Sequence, residues 1–139
     1  MAYQSYTKEN KFSDEFKEEC RLHGAYAVST VSSLYMAGQP DLSITSKLGQ
    51  ETKAELKIYR GVSLPTRDNI INLLRGPQVN VITNQMFRRN ANCIVIAQIG
   101  AKLDTCCILS KHKISFALWK EAAKIVAILP FGHYTPWQE

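Results

Sequence analysis

Gly38-Gln39-Pro40-Asp41-Leu42-Ser43-Ile44-Thr45-Ser46 and, after a short break, Thr52-Lys53-Ala54-Glu55-Leu56-Lys57-Ile58 are the stretches on which the reading of this chain turns. Both alternate apolar with polar residues, the two-residue period of a half-buried strand. The residues between them, Lys47 to Glu51, include Gly49 and are too few for anything but a turn. An antiparallel hairpin follows, with Asp41 opposite Lys57 and Glu55 on the diagonal. Glu55 and Lys57 are two apart and share a face. Directly opposite Cβ atoms in such a ladder lie about 4.5–5.5 Å apart and diagonal ones about 7–8 Å.

Two carboxylates at that separation suit one hard divalent cation with an ammonium beside it. Mg²⁺ takes oxygen ligands and keeps several waters, so one or two carboxylates suffice. The expected ligands are Asp41, Glu55 and the backbone carbonyl of Leu56, with Mg²⁺ or Mn²⁺ as the ion. Such an ion polarises a phosphate and acidifies water. Lys57 next to it orients that water or steadies charge growing on the phosphate. The trio points to phosphodiester hydrolysis.

The chain has 139 residues, enough for one domain over residues 1–139 with a substantial core. Apolar residues make up 45% of it, which fits a folded protein rather than a disordered one. No apolar run has the roughly 18 residues of a membrane span, and Met1-Ala2-Tyr3-Gln4-Ser5 does not read as a secretory signal. The four cysteines show no C-x-x-C spacing, so reduced thiols in a cytoplasmic setting are expected, with Cys106 and Cys107 facing opposite ways. The net charge is +5. Residues 1–40 carry four Lys/Arg against five Asp/Glu, residues 41–90 eight against four, and residues 91–139 five against three. The basic excess begins where the carboxylates begin, which suits a polyanionic partner such as DNA.

Around the hairpin, Phe12, Phe16 and Cys20 recur at four-residue steps and predict a helix from about Asp14 to His23, stopped by Gly24. Residues 25–31 alternate as a strand. A second helix opens at Pro65 or Thr66, buries Ile70, Ile71, Leu73 and Leu74, and is ended by Gly76-Pro77. Val79, Val81 and Thr83 alternate as a strand, followed by a polar loop to Asn92. Cys93–Ile99 is a continuous apolar run, expected of a strand covered on both faces and paired with Leu103–Leu109. Ser115 is expected to cap a last helix to about Leu129, with Leu118, Trp119, Ala122, Ile125, Val126 and Leu129 as its core stripe. That order predicts an α/β fold, a mixed central sheet flanked by helices.

Pro40-Asp41 followed by Glu55-Leu56-Lys57 resembles the signature of the PD-(D/E)XK nuclease superfamily. Within it, Gly38-Gln39-Pro40-Asp41-Leu42, the Glu-Leu-Lys and a helix near Pro65-Thr66 look like the virus-type replication-repair nucleases. Phe12 to Val28 is similar to the opening of archaeal Holliday-junction resolvases. The resemblance spans roughly residues 12–83. It implies a restriction-endonuclease-like fold and Mg²⁺-dependent DNA cleavage by a homodimer, with branched DNA as the expected substrate. A replication or repair nuclease acting on flaps, single strands or duplex ends, or a catalytically idle DNA-binding module, would carry the same signature.

The resemblance also implies an acidic residue on the first helix that approaches the metal. Aligning on His23-Gly24 puts Ser13 at the usual resolvase position, which makes the nearby Glu15 the candidate, with Glu19 behind it. The replication-repair group further places a glutamine in the second helix; here Arg67 or Asn69 stands nearby. Ser43 alternates onto the face of Asp41, where it can hydrogen-bond a ligand carboxylate. Tyr59, Arg60, Ser63 and Arg67 follow Lys57 and suit phosphate contact. Arg88, Arg89, Lys111 and Lys113 sit in polar loops fit for the DNA backbone. His23, His112 and His133 have no metal-ligating partner at useful spacing, and no nucleophile elbow or phosphate loop appears.

Overall fold

The rhythm of Phe12, Phe16 and Cys20 does form a helix, but it begins a turn and a half earlier than its apolar residues suggest: α1 runs Lys8–Leu22. The computed structural model describes residues 8–30, 38–87, 92–100, 102–111 and 114–128. After α1 come β1 (Tyr26–Ser29), β2 (Leu42–Thr45), β3 (Glu51–Tyr59), α2 (Arg67–Ile71), α3 (Pro77–Phe87), β4 (Cys93–Ile99), β5 (Lys102–Leu109), β6 (Ile114–Leu118) and α4 (Trp119–Ile128). The six strands lie in one sheet in chain order. β3 and β4 are parallel, and every other neighbouring pair is antiparallel. The result is a mixed α/β fold with helices on both faces. No helix among the described residues is long and apolar enough to cross a membrane.

The two-residue strand period divides the core in two. Ala54 and Leu56 of β3, Ile94 and Ile96 of β4 and Cys106 and Ile108 of β5 point to one face, under α1 and α4. Cys93, Val95, Ala97, Cys107 and Leu109 point to the other, under α2 and α3. Cys106 and Cys107 therefore face opposite ways, as expected, and each is packed as a small apolar residue. Burial pushes the Cys20, Cys93 and Cys107 thiols up to about 12, well away from thiolate reactivity. Phe12 meets Phe16 and Trp119 edge-on, with both pairs of ring centroids 5.9 Å apart, and this aromatic group locks α1 to α4.

Two expected elements change type. The segment Val79 to Thr83 is not a strand: Pro77 opens α3 instead of closing the helix before it. Proline suits the first helical position, where its missing N–H has no partner to lose. Ile82 and Met86, four apart, are the buried residues of α3, whereas Val79 is 38% exposed. Helical spacing prevailed over the β-branched alternation. The second correction is at Ser115, which caps no helix; it sits buried inside β6, paired with Ile108. α4 starts at Trp119 and buries Ala122, Ile125 and Val126 as expected, but Leu118 ends the strand and is 60% exposed. Partner strand β5 decides this segment, which carries both periodicities. Leu129 lies outside the described residues.

Candidate functional site

The entry to β2 is held from one side by α3. Gly38 has φ +87°, and a Cβ there would come within 2.7 Å of the Pro77 carbonyl, so only glycine lets this turn lie on the start of α3. Gln85 of α3 donates its side-chain amide to Gln39 Oε1 at 3.2 Å. Pro40, buried, precedes the first ladder residue, a position where a missing N–H is tolerated. Asp41 is thereby delivered to the mouth of the β2–β3 pair.

The register differs from the expected one by two residues. The turn closes one residue earlier: Ser46 N–H bonds to the Gln50 carbonyl at 2.8 Å, and Thr45 pairs with Glu51. The Ser46 hydroxyl accepts from Leu48 and Gln50 N–H at 3.3 Å each, which stabilises that turn. Leu42 then pairs with Ala54, and continuing the ladder sets Asp41 across from Glu55, not Lys57. An even shift leaves every side chain on its own face, so the trio still converges, and more tightly.

Asp41 N–H donates to Glu55 Oε1 at 3.1 Å, and Leu56 N–H donates to Asp41 Oδ2 at 3.2 Å. Each acid is thus aimed by the other's strand. The Leu56 N–H therefore lies on the Asp41 side of β3, beyond the end of β2. The Lys57 ammonium stands 3.5 Å from Glu55 Oε2 and 4.0 Å from Glu9 Oε1. Glu55 is 1% exposed and Lys57 9%. Burial first, then the Asp41 charge and a hydrogen bond between the two carboxyl groups, push Glu55 up to about 8, against the opposing pull of Lys57.

Two contributors escaped the sequence reading. Gln78, in the first turn of α3, donates its amide to Glu55 Oε2 at 2.8 Å while its own oxygen accepts from Arg75 N–H at 3.1 Å. It fixes the Glu55 carboxylate from the helix side, a contact that neither Arg67 nor Asn69 makes. Asn69 instead completes a capping box with Thr66 at the start of α2. On the first helix the acid that reaches Lys57 is Glu9. Glu15 is exposed, has no hydrogen bond or ion pair to the trio, and lines a cleft beside Phe12 and Ile58. Glu19 pairs with His23 at 3.2 Å. The signal for Glu9 was available, since extending the Phe12 rhythm one turn back places it in the same helix.

Of the other expected residues, the Ser43 hydroxyl donates to the Glu51 carboxylate and leaves Asp41 alone. Arg60 follows β3 and lines the same cleft as Glu15. Arg67 opens α2 and Lys111 follows β5, both half-buried. Arg88, Arg89 and Lys113 lie outside the described residues.

No group of three or more His, Cys, Asp or Glu side chains gathers among the described residues; the acidic centre is a pair. The pair's chemistry fits a hard divalent cation. Burial and the neighbouring Asp41 charge both disfavour an ionised Glu55, and a cation held between the two carboxylates would offset that. Compared with protein-family models, curated proteins and solved structures, the chain matches none.

Proposed function

We propose that this protein is a Mg²⁺- or Mn²⁺-dependent endodeoxyribonuclease of restriction-endonuclease-like fold. The observation that carries the reading is the convergence of Asp41, Glu55 and Lys57 at the open end of β2, with both acids aimed by backbone N–H groups. The order helix, three antiparallel strands, helices, then a strand parallel to β3 also agrees with the fold the resemblance implies.

Asp41, Glu55 and the Leu56 carbonyl would hold the ion. A bound divalent cation supplies Lewis acidity at a scissile phosphate. The chain does the rest by position. Lys57, its stem buried in the sheet and its ammonium held between Glu55 and Glu9, presents a fixed positive charge to the developing phosphorane. Gln78 keeps the Glu55 carboxylate in one orientation and so limits how the ligands move. Glu55 and Lys57 are buried and Asp41 is half-buried, which strengthens each of these interactions.

The preferred substrate is branched DNA, cut by a homodimer that sets two such sites on opposing strands. A nicking assay over four-way junctions, flaps, single strands and linear duplex, with and without divalent ion, tests this. Ion-dependent cutting of branched DNA that is abolished in Asp41→Asn and Lys57→Ala is the expected result. DNA binding with no cutting in any ion would make the chain a binding module, and equal cutting of junction and linear duplex would overturn the branched preference.

A further inference from the structure

On the opposite side of β3 from Gln78, beside the candidate site, lies a cleft of about 930 Å³, at the upper end of the roughly 300–1,000 Å³ range of small-ligand sites. The first turn of α1 serves both places: Glu9 stands at Lys57 and Lys8 lines the cleft. So does the end of β3, where Lys57 points to the site, Ile58 floors the cleft and Arg60 forms part of its rim. We propose that this cleft holds single-stranded DNA, the unpaired arm of the branched substrate; the inference rests on the nuclease reading for the substrate's identity but not for the binding itself.

Three features select that occupant. Lys8, Lys11, Arg60 and Lys120 converge on the cleft against Glu15 and Asp104, and none of the four cations has a carboxylate partner among the described residues. An excess of unpaired cations suits a phosphate chain. Between them the lips are apolar: Val62 is 100% exposed and Leu103 59%. A duplex would lay phosphates against those lips and leave them unpaired with anything apolar, whereas a single strand exposes base faces that can cover them. Finally, the loop carrying Val62 is held at both ends. A Cβ at Gly61 would come within 2.2 Å of the Tyr59 hydroxyl, so Tyr59 lies flat against it, and the Thr66–Asn69 capping box holds the far end. Trp119, wedged against Phe12 with the Lys120 ammonium 5.7 Å from its ring centroid, gives the floor the same rigidity. A preformed lip costs little ordering on binding.

The test is fluorescence anisotropy with a labelled oligothymidylate and a duplex of equal length, in EDTA so that nothing is cut. Wild type should bind the single strand more tightly than the duplex. Lys11→Glu/Lys120→Glu should weaken single-strand binding about tenfold and flatten its salt dependence by about one contact per lysine. Val62→Ser/Leu103→Ser should weaken it by about tenfold with the salt dependence unchanged. Lip variants that bind like wild type, tighter binding of duplex, or displacement of the oligonucleotide by polyglutamate at equal charge would each overturn the proposal. If these binding results hold while no ion supports cutting, the nuclease reading fails and the cleft assignment stands; if cutting holds and the variants change nothing, the reverse is true.

Discussion

On one face of β3, Ala54 and Leu56 are wholly buried under α1 and α4; on the other, one residue along, Glu55 and Lys57 are buried almost as deeply beside α3. The first face follows the ordinary logic of a core, in which removing apolar area from water stabilises the fold. The second places two ionisable groups where desolvation penalises their charge. They hold there because each has partners: Glu55 accepts from Asp41 N–H and Gln78, and Lys57 lies between Glu55 and Glu9. A sheet that needed only stability would not be built that way. Residues that carry a desolvation cost while converging on one point are candidates for a chemical role.

The largest effect that sharpens the contrast is on activity. Lys57→Ala removes the ammonium without opening the apolar face and should lower the cleavage rate by about a thousandfold, with circular dichroism showing the fold kept. On the opposite face the converse holds: Leu56→Ala should cost about 3 kcal/mol of stability by urea denaturation, while the protein that remains folded keeps its rate. Next comes Gln78→Ala, which frees the Glu55 carboxylate from the helix. Metal affinity or cleavage should fall by about ten- to a hundredfold, and Gln78→Glu should fail to rescue it because a third carboxylate would face Glu55.

The smallest effect is on the metal-free fold. The unfolded chain releases the Glu55 proton near its ordinary 4.5, whereas the folded site keeps it up to about 8. Between those values the folded state binds more protons, so stability contributed by this group is full below 4.5 and declines as pH rises toward 8. In EDTA the melting temperature of wild type should therefore drop across that window relative to Glu55→Gln, which has nothing to titrate there. At pH 8 the variant should be more stable than wild type. A parallel pH dependence in the two proteins would mean that Glu55 is not held protonated.

The hairpin and its trio were legible because a period of two is a strong signal and a five-residue turn leaves few registers. The residual error, two positions, came from Ser46, whose hydroxyl closes the turn one residue sooner than its neighbours suggest. Gln78 was hidden by Val79, Val81 and Thr83, which alternate like a strand although Ile82 and Met86 carry the helical spacing that decides the packing. Glu9 was missed because the helix expected from the Phe12, Phe16 and Cys20 rhythm starts at about Asp14, whereas α1 starts at Lys8. In β6, Ile114 to Leu118 satisfies both periods, and only the presence of β5 as a partner settles it. Local pattern fixes what lies within one hairpin; which helix leans over the site depends on contacts far apart in the chain.

Electron paramagnetic resonance of Mn²⁺ titrated with wild type and Asp41→Asn measures most directly whether Asp41 and Glu55 share an ion. Wild type should take up one Mn²⁺ per chain, and Asp41→Asn should bind it at least about tenfold more weakly. Equal binding by the two proteins, or Mn²⁺ left free by wild type at millimolar concentrations, would contradict the assignment of this pair as the metal-holding centre.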